Sequence, residues 1–438
     1  MSLIQGLMGG WVMRRISFGI LLSVFIVLAV TTSCKNPNLS GGILHFDQKR
    51  YERARETLLK AIEQEPQNSE AYFWLGKSYA ELDSTMKAKE SFDKSVEVAL
   101  PAKKELASKD VENAMDHYWS VRHNEGLSYA KAAQDARAID KSDEARKNFR
   151  FALNQFKKAR VFNGSKEETP RNMGVCYFNL GQVDSGLVSL KEAQRLSPAQ
   201  DSRAGQILFD QFRSLGDQAA EKGTKEGYTD AIKFYSEAES LRSNDPDLLY
   251  SLGVVYYQLA EADTAQKKGS YAKAIEYFEK TLTYKPEDQD ALYNAASLYY
   301  ELRNCDPGVA LAKRLLDINP KEGRYYDIVG RLLDCQGKKA ERVAGLVFSR
   351  ALKSGTVVAA DAFKAEVEKY GTTSDAMRKY REEGKPEDVR TFTDAGGADY
   401  MCWFFWTRGK ALAFIRGEYK YEMGFKPQKE TAEGETGK

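Results

Sequence analysis

The chain has 438 residues, enough for about two or three domains of ordinary size. Its charges nearly cancel, with a formal net charge of +2, which argues against a nucleic-acid-binding protein and its usual basic excess. Only 3 residues are histidine, whereas 24 are tyrosine. The scarcity of histidine disfavours a metal enzyme or an enzyme that relies on a histidine base.

The amino-terminal segment has the order of a secretion signal. Two arginines precede an uncharged apolar run over residues 16–32, and Cys34 follows a stretch of small residues. A positive end, an apolar stretch and small residues in this order are typical of a signal peptide. The sequence therefore predicts a signal peptide over residues 1–33, with Met13 as an alternative start.

The lone cysteine after the apolar run resembles the acylation site of bacterial lipoproteins, although Thr31 stands where these proteins usually have leucine. The resemblance implies lipidation of Cys34 and cleavage before it. Lys35 is not the aspartate that marks inner-membrane retention, so we expect a lipid-anchored envelope protein in the outer membrane, facing the periplasm. An uncleaved anchor and simple secretion are the alternatives, since the run is short beside the ~20 residues that span a bilayer.

A short pattern recurs through the middle of the chain: a small residue, a large apolar residue four positions later, and a small residue three further on. Clear copies are Ala88, Phe92 and Ser95; Ala152, Phe156 and Ala159; Ala231, Tyr235 and Ala238; and Ala274, Phe278 and Thr281. This spacing places the three residues of each copy on one helix face, where small residues let a neighbouring helix approach.

A second pattern, an apolar residue, glycine and then tyrosine three positions on, precedes several copies, as in Leu75-Gly76 with Tyr79 and Leu252-Gly253 with Tyr256. A proline follows some copies, at positions where it ends a helix: Pro66, Pro198, Pro286 and Pro320. Together these residues resemble the tetratricopeptide repeat, a helix-turn-helix unit of about 34 residues.

The resemblance implies an all-α solenoid of about eight helical hairpins over residues 34–355. Extra residues near 131–142, 213–224 and 260–269 predict hairpins of uneven length. Beyond the repeats, residues 356–427 predict a small α+β module with helices and an aromatic antiparallel meander. Trp403, Phe405 or Trp406 would form either a second docking surface or part of a cap over the last repeat. Residues 428–438 are polar and predict a disordered tail.

Motifs of catalysis are missing from the sequence. His117 and His123 are six apart and fall on different helix faces, so they do not predict a metal pair. We expect no enzyme activity, metal or cofactor, and a reaction centre in the last 80 residues is the least favoured alternative. Cys305 and Cys335 occupy corresponding turns of neighbouring repeats, which predicts a disulfide in an oxidising periplasm, with two separate thiols as the alternative.

In repeats of this family the first helix of each hairpin lines a concave groove. The resemblance implies a partner-binding groove lined by Phe73, Lys77, Arg171, Phe178, Tyr250, Tyr257, Tyr293 and Tyr300. Tyrosine offers a large contact area at low entropic cost, although the same rings could instead pack between helices. The sequence thus predicts a membrane-tethered scaffold for a protein or peptide, with envelope glycan binding by aromatic surfaces as the alternative. No nucleic acid and no small-molecule cofactor are expected.

Overall fold

The computed structural model describes residues 36–100, 105–199 and 202–429. The chain forms two compact units, Met1–Gly205 and Gln206–Lys438, called here the N-terminal and C-terminal units. The predicted signal peptide, Cys34 and the residues after 429 lie outside the described ranges.

The described residues before the terminal module form eight helical hairpins, the number predicted. Hairpins 1 to 4 consist of α1 (Pro37–Asp47) with α2 (Tyr51–Gln64), α3 (Ser69–Glu81) with α4 (Thr85–Ala99), α5 (Glu105–Ala138) with α6 (Ser142–Phe162), and α7 (Glu168–Asn179) with α8 (Val183–Leu196). Hairpins 5 to 8 consist of α9 (Arg203–Ala220) with α10 (Lys225–Leu241), α11 (Pro246–Ala262) with α12 (Lys267–Tyr284), α13 (Gln289–Glu301) with α14 (Cys305–Ile318), and α15 (Gly323–Cys335) with α16 (Lys339–Ser354).

The extra residues lengthen helices and leave the hairpin pattern intact. Helix α5 has 34 residues and α9 has 18, compared with 13 in α3. Helices α2, α8, α12 and α14 end just before Pro66, Pro198, Pro286 and Pro320, because proline lacks the amide hydrogen that a helix interior needs.

In several hairpins the two helices contact each other where a large side chain of the second helix packs over a glycine of the first. A Cβ atom at Gly253 would lie 2.6 Å from the Phe278 ring, and one at Gly76 would lie 2.7 Å from the Phe92 ring. Gly126 and Phe156 repeat the arrangement in hairpin 3. The glycine of one recurring sequence pattern therefore packs against the large apolar residue of the other. Only glycine permits this contact, because a Cβ atom would displace the ring.

The last two hairpins carry a covalent link. Cys305 begins α14, Cys335 ends α15, and the structure joins their side chains with the Cα atoms 5.9 Å apart. We expect peptide mapping of protein alkylated without reduction to recover one fragment that contains both cysteines. Cys176 and Cys402, which are buried thiols, serve as internal controls and should be found reduced. Recovery of alkylated Cys305 would contradict the prediction.

The terminal module is a five-stranded antiparallel sheet with strand order β1-β2-β3-β4-β5. Its elements are β1 (Thr356–Val357), α17 (Phe363–Glu368), α18 (Asp375–Glu383), β2 (Asp388–Thr393), β3 (Asp399–Phe405), β4 (Lys410–Ile415) and β5 (Glu418–Gly424). The predicted meander of three strands is confirmed, and the structure adds a strand at each edge.

Strand β3 is buried on both faces, because its side chains alternate between two cores. Trp403 and Phe405 pack with the short helices α17 and α18, whereas Phe404 packs against Tyr326 and Phe348 of the last hairpin. Trp403, Phe405 and Trp406 are 0%, 0% and 7% exposed. Of the two alternatives for these residues, the second docking surface is therefore wrong, and the module packs over the last repeat as a cap.

The chain beyond the sheet returns to the repeats. The backbone N–H of Lys426 donates to Asp317 Oδ1 at 2.7 Å, and Gln428 donates from its side chain to the backbone oxygen of Asp317 at 3.0 Å. Gln428 N–H also donates to the Trp406 oxygen at 2.9 Å. The ordered chain thus extends past residue 427, the boundary predicted for the module.

Candidate partner-binding surface

In the C-terminal unit, Tyr250 and Tyr293 lie on neighbouring first helices, α11 and α13. Tyr250 Oη accepts a hydrogen bond from Asn294 Nδ2 at 3.2 Å, and its ring packs 5.5 Å from Phe278. Burial raises the pKa of Tyr250, and the carboxylate of Asp290 adds to that shift. Tyr250 thus contacts the residue that follows Tyr293, and its ring is partly engaged in packing.

Arg324 extends this surface onto the next first helix, α15. Its guanidinium carbon lies 5.0 Å from the Tyr293 ring centroid and 5.2 Å from that of Tyr325. Its ion pair with Asp290 is long, at 3.9 Å, and the arginine side chain remains 42% exposed. A guanidinium held between two aromatic rings keeps donors available for a carboxylate or a peptide carbonyl.

Tyr257 and Tyr300 lie at the far ends of the same two helices, α11 and α13. Tyr257 is 43% exposed and stacks 6.1 Å from Tyr271, and Arg303 lies 5.1 Å from the Tyr300 ring. Tyr250, Tyr257, Tyr293, Tyr300 and Arg324 are called here the tyrosine face. Because these rings expose part of their area, they offer contact surface that packing within the unit does not use.

In the N-terminal unit, Lys77 sits against three aromatic rings that include Phe73, also predicted for the groove. Its ammonium nitrogen lies 4.1 Å from the ring centroid of Trp74, 4.7 Å from that of Phe46 and 5.6 Å from that of Phe73. Burial lowers the pKa of Lys77, and the carboxylates of Asp47 and Glu81 partly offset this. Phe46, Phe73 and Trp74 are called here the aromatic box.

The other two residues predicted for the groove of the N-terminal unit have structural partners. Arg171 Nε forms an ion pair with Glu167 at 3.1 Å. The Phe178 ring lies over Gly186, where a Cβ atom would be 2.9 Å from the ring. Phe178 therefore closes its own hairpin, and the structure pairs neither residue with the aromatic box.

His123 forms a buried polar cluster in hairpins 3 and 4. Its ring stacks 4.9 Å from Trp119, Nδ1 lies 3.4 Å from Thr169 Oγ1, and Nε2 lies 3.3 Å from Asn172 Nδ2. An acceptor role for Nε2 towards Asn172 requires a neutral ring. Burial lowers the pKa of His123, and Glu168 opposes this shift while Arg171 adds to it.

This cluster predicts a loss of stability in acid. The unfolded chain has the higher histidine pKa, about 6.5, and so takes up a proton first as the pH falls. The contribution of neutral His123 is therefore complete above that pH and declines below it, by at most about 1.4 kcal/mol per pH unit, until the folded-state pKa is reached. Urea unfolding between pH 7.5 and 5 should show a shallower decline for His123→Gln than for wild type. The exposed His117 gives the matched control, since His117→Gln should leave the profile unchanged.

Sequence reasoning missed four contributors to these surfaces: Phe46, Trp74, Asn294 and Arg324. Phe46 belongs to hairpin 1, which lacks the leucine of the repeat pattern. Asn294 and Trp74 each directly follow a predicted groove residue, and this adjacency is the signal that the sequence offers for them. Arg324 lies in the first turn of α15, where the groove pattern assigns no position.

The described ranges contain no group of three or more His, Cys, Asp or Glu residues placed to hold a metal ion. They also contain no helix with the length and apolar character needed to cross a bilayer. Cys34 and the apolar run before it fall outside these ranges, so lipidation stays a prediction.

The stacked hairpins with their glycine-ring contacts define a helical repeat protein. Models of the tetratricopeptide repeat match residues 42–83 and 225–259, residues 266–332, and residues 69–100. The predicted tetratricopeptide repeats are thus confirmed. Arrays of these repeats are typical of protein-protein interaction scaffolds and are generally not enzymes.

Solved structures of other repeat proteins resemble parts of the chain. The C-terminal part of a TPR repeat-containing protein from Cytophaga hutchinsonii is 18% identical and covers 67% of this chain and 98% of its own, with a TM-score of 0.35. YrrB, described as a TPR protein with an unusual peptide-binding site, is 15% identical over 45% of this chain and 92% of its own, with a TM-score of 0.31. Pseudomonas aeruginosa PilF is 15% identical over 60% and 99%, with a TM-score of 0.24. No curated protein matches the chain.

Proposed function

We propose that the protein is a membrane-tethered scaffold of the bacterial envelope that binds a segment of a partner protein on the tyrosine face. The observation that carries this proposal is the set of partly exposed tyrosine rings on α11 and α13 together with Arg324, whose side chain is 42% exposed. Tyrosine and arginine dominate the energetics of protein interfaces because they combine large contact areas with directed polar groups.

The chemistry of the tyrosine face favours an extended segment or a helix with apolar side chains and at least one acidic group. The Arg324 side chain is 42% exposed, and its guanidinium has two long polar contacts, to Asp290 at 3.9 Å and to Tyr325 Oη at 3.4 Å. An incoming carboxylate would gain a closer, charge-assisted hydrogen bond there. The rings of Tyr257 and Tyr300 would cover apolar side chains at the other end.

Photocrosslinking tests the location of the site. Benzophenone side chains placed at Tyr257 and Tyr300 should each crosslink one defined protein in intact envelopes. Tyr284 gives the matched control, because it is 51% exposed but lies on the second helix of hairpin 6. Equal crosslinking from position 284 would show that the tyrosine face is not the site.

Affinity measurements with the captured partner complete the test. Tyr293→Ala and Arg324→Ala should each weaken binding by about 2 kcal/mol, or roughly 30-fold, as interface anchors do. Unchanged affinity in both variants, measured by calorimetry, would contradict the proposal. If envelope saccharides bind instead and the same variants abolish that binding, the glycan alternative replaces it. The burial of Trp403 and Trp406 removes those two rings from a glycan surface.

The tether rests on the sequence around Cys34. Cys34→Ser should release the protein from the membrane fraction and abolish labelling by a fatty-acid analogue. Retention in the membrane without labelling would replace lipidation by an uncleaved anchor, and release of the wild-type protein would favour simple secretion.

A further inference from the structure

In the aromatic box of the N-terminal unit, one ammonium group lies close to three aromatic rings. Trp74 packs at 5.3 Å from Phe46 and at 5.7 Å from Phe73, centroid to centroid, so the three rings form a continuous wall. The Lys77 ammonium faces all three. Lys87, by contrast, approaches one ring, that of Tyr79 at 5.7 Å. The geometry is that of an aromatic cage with its cation supplied by the same chain.

The surroundings of the box are acidic. The charges of Asp47 and Glu81 both act on Lys77 and partly offset the lowering of its pKa by burial. Within the described ranges Lys77 Nζ forms neither an ion pair nor a hydrogen bond. Glu81 Oε1 accepts a hydrogen bond from Tyr118 Oη at 3.1 Å. An additional cation would therefore be attracted to this place, whereas an anion would be repelled by the two carboxylates.

The primary ammonium group of Lys77 is poorly suited to surroundings made of aromatic ring faces. A primary ammonium group is strongly hydrated and carries three hydrogen-bond donors, and ring faces offer them no strong acceptor. Burial against the rings lowers the pKa of Lys77, in line with that loss of hydration. A quaternary ammonium group has no donors to satisfy and is weakly hydrated, and such groups are the ligands that aromatic cages recognise.

We propose that the aromatic box is a binding site for a quaternary ammonium group, which enters as Lys77 withdraws towards solvent and the neighbouring carboxylates. The four-carbon stem of lysine rotates freely enough for this exchange. The ligand is a trimethylammonium compound, either free in solution or exposed as a lipid headgroup. The site is independent of the tyrosine face, which belongs to the other unit.

Equilibrium dialysis of the full chain with labelled choline tests the proposal directly. Wild type should bind with a dissociation constant on the order of a millimolar, whereas the neutral isostere 3,3-dimethyl-1-butanol should not compete. Lys77→Ala, which removes the competing cation, should bind choline roughly 10-fold more tightly, and Lys77→Gln should change in the same direction. Trp74→Leu and Phe73→Leu should lose binding.

Lys87→Ala is the matched control and should bind as wild type does. Circular dichroism of each variant separates loss of the site from loss of the fold. Equal competition by choline and its neutral isostere, or unaltered binding in Lys77→Ala and Trp74→Leu, would overturn the proposal. Displacement of bound choline by phosphatidylcholine vesicles, but not by phosphatidylglycerol vesicles, assigns the ligand to a lipid headgroup. Absence of displacement by either assigns it to a free compound.

Discussion

Phe404→Ala is expected to lower the free energy of unfolding of the C-terminal unit by about 3–5 kcal/mol, the range for removing a buried phenylalanine ring. The Phe404 side chain is 0% exposed and lies between the terminal sheet and the last hairpin. Its ring is 6.0 Å from Phe348, 6.4 Å from Tyr326 and 4.7 Å from Trp406. Truncation leaves a cavity that rings from both sides of the interface cannot easily fill.

Hydrogen exchange with mass spectrometry would locate the effect of Phe404→Ala. Faster exchange should appear in peptides of both β3 and α15, because the lost ring belongs to the contact between them. Phe151→Ala removes the same group from a side chain that is 43% exposed, and it should change stability by only about 0.5 kcal/mol. Faster exchange confined to β3 would show that the sheet does not support the last hairpin.

Two glycine-to-alanine substitutions should change stability in opposite directions. A Cβ atom at Gly345 of α16 would lie 2.5 Å from the backbone oxygen of Tyr326 and 2.8 Å from the Cα atom of Gly330. Backbone atoms cannot rotate aside, so α15 and α16 would have to separate. Overpacking of this kind costs about 1–3 kcal/mol, and we expect Gly345→Ala to fall at the upper end of that range.

Gly269 of α12 provides the control, because a Cβ atom there would meet nothing within 4 Å. Alanine favours a helix over glycine, so Gly269→Ala should stabilise the protein by up to about 1 kcal/mol. Urea denaturation monitored by circular dichroism compares the two variants directly. A stability for Gly345→Ala equal to or above that of wild type would mean that the two helices are not in backbone contact.

The hairpins were predictable because both residues of the contact between their two helices belong to recurring sequence patterns. Gly253 and Phe278 belong to different patterns in the sequence but to one contact in the structure. The cap was predictable only in part. Residues 401–406 form an unbroken apolar run, which is typical of a strand buried on both faces. Such a run favours the cap over the docking surface, but the sequence does not show what covers the second face of the strand.

The aromatic box was not predictable from the sequence, whereas strand β5 carries a readable signal. Glu418, Lys420 and Glu422 alternate with Tyr419, Tyr421 and Met423, and this period of two is typical of a half-buried strand. The three charged residues are exposed on β5, which is an edge strand, where charged side chains discourage further pairing. The aromatic box brings Phe46 of hairpin 1 into contact with Trp74 of hairpin 2. A repeat pattern assigns positions within one hairpin, and it does not determine which side chains contact each other between two hairpins.

The terminal sheet has a consequence for self-association. In a stack of hairpins each hairpin buries one face against the next. The last hairpin has no following hairpin, so the corresponding face is available to a second molecule. Here that face is covered by Cys402, Phe404, Ala411 and Ala413 from the sheet. A chain shortened before β2 would therefore expose Tyr326 and Phe348, and we expect such a chain to associate with itself through this apolar face.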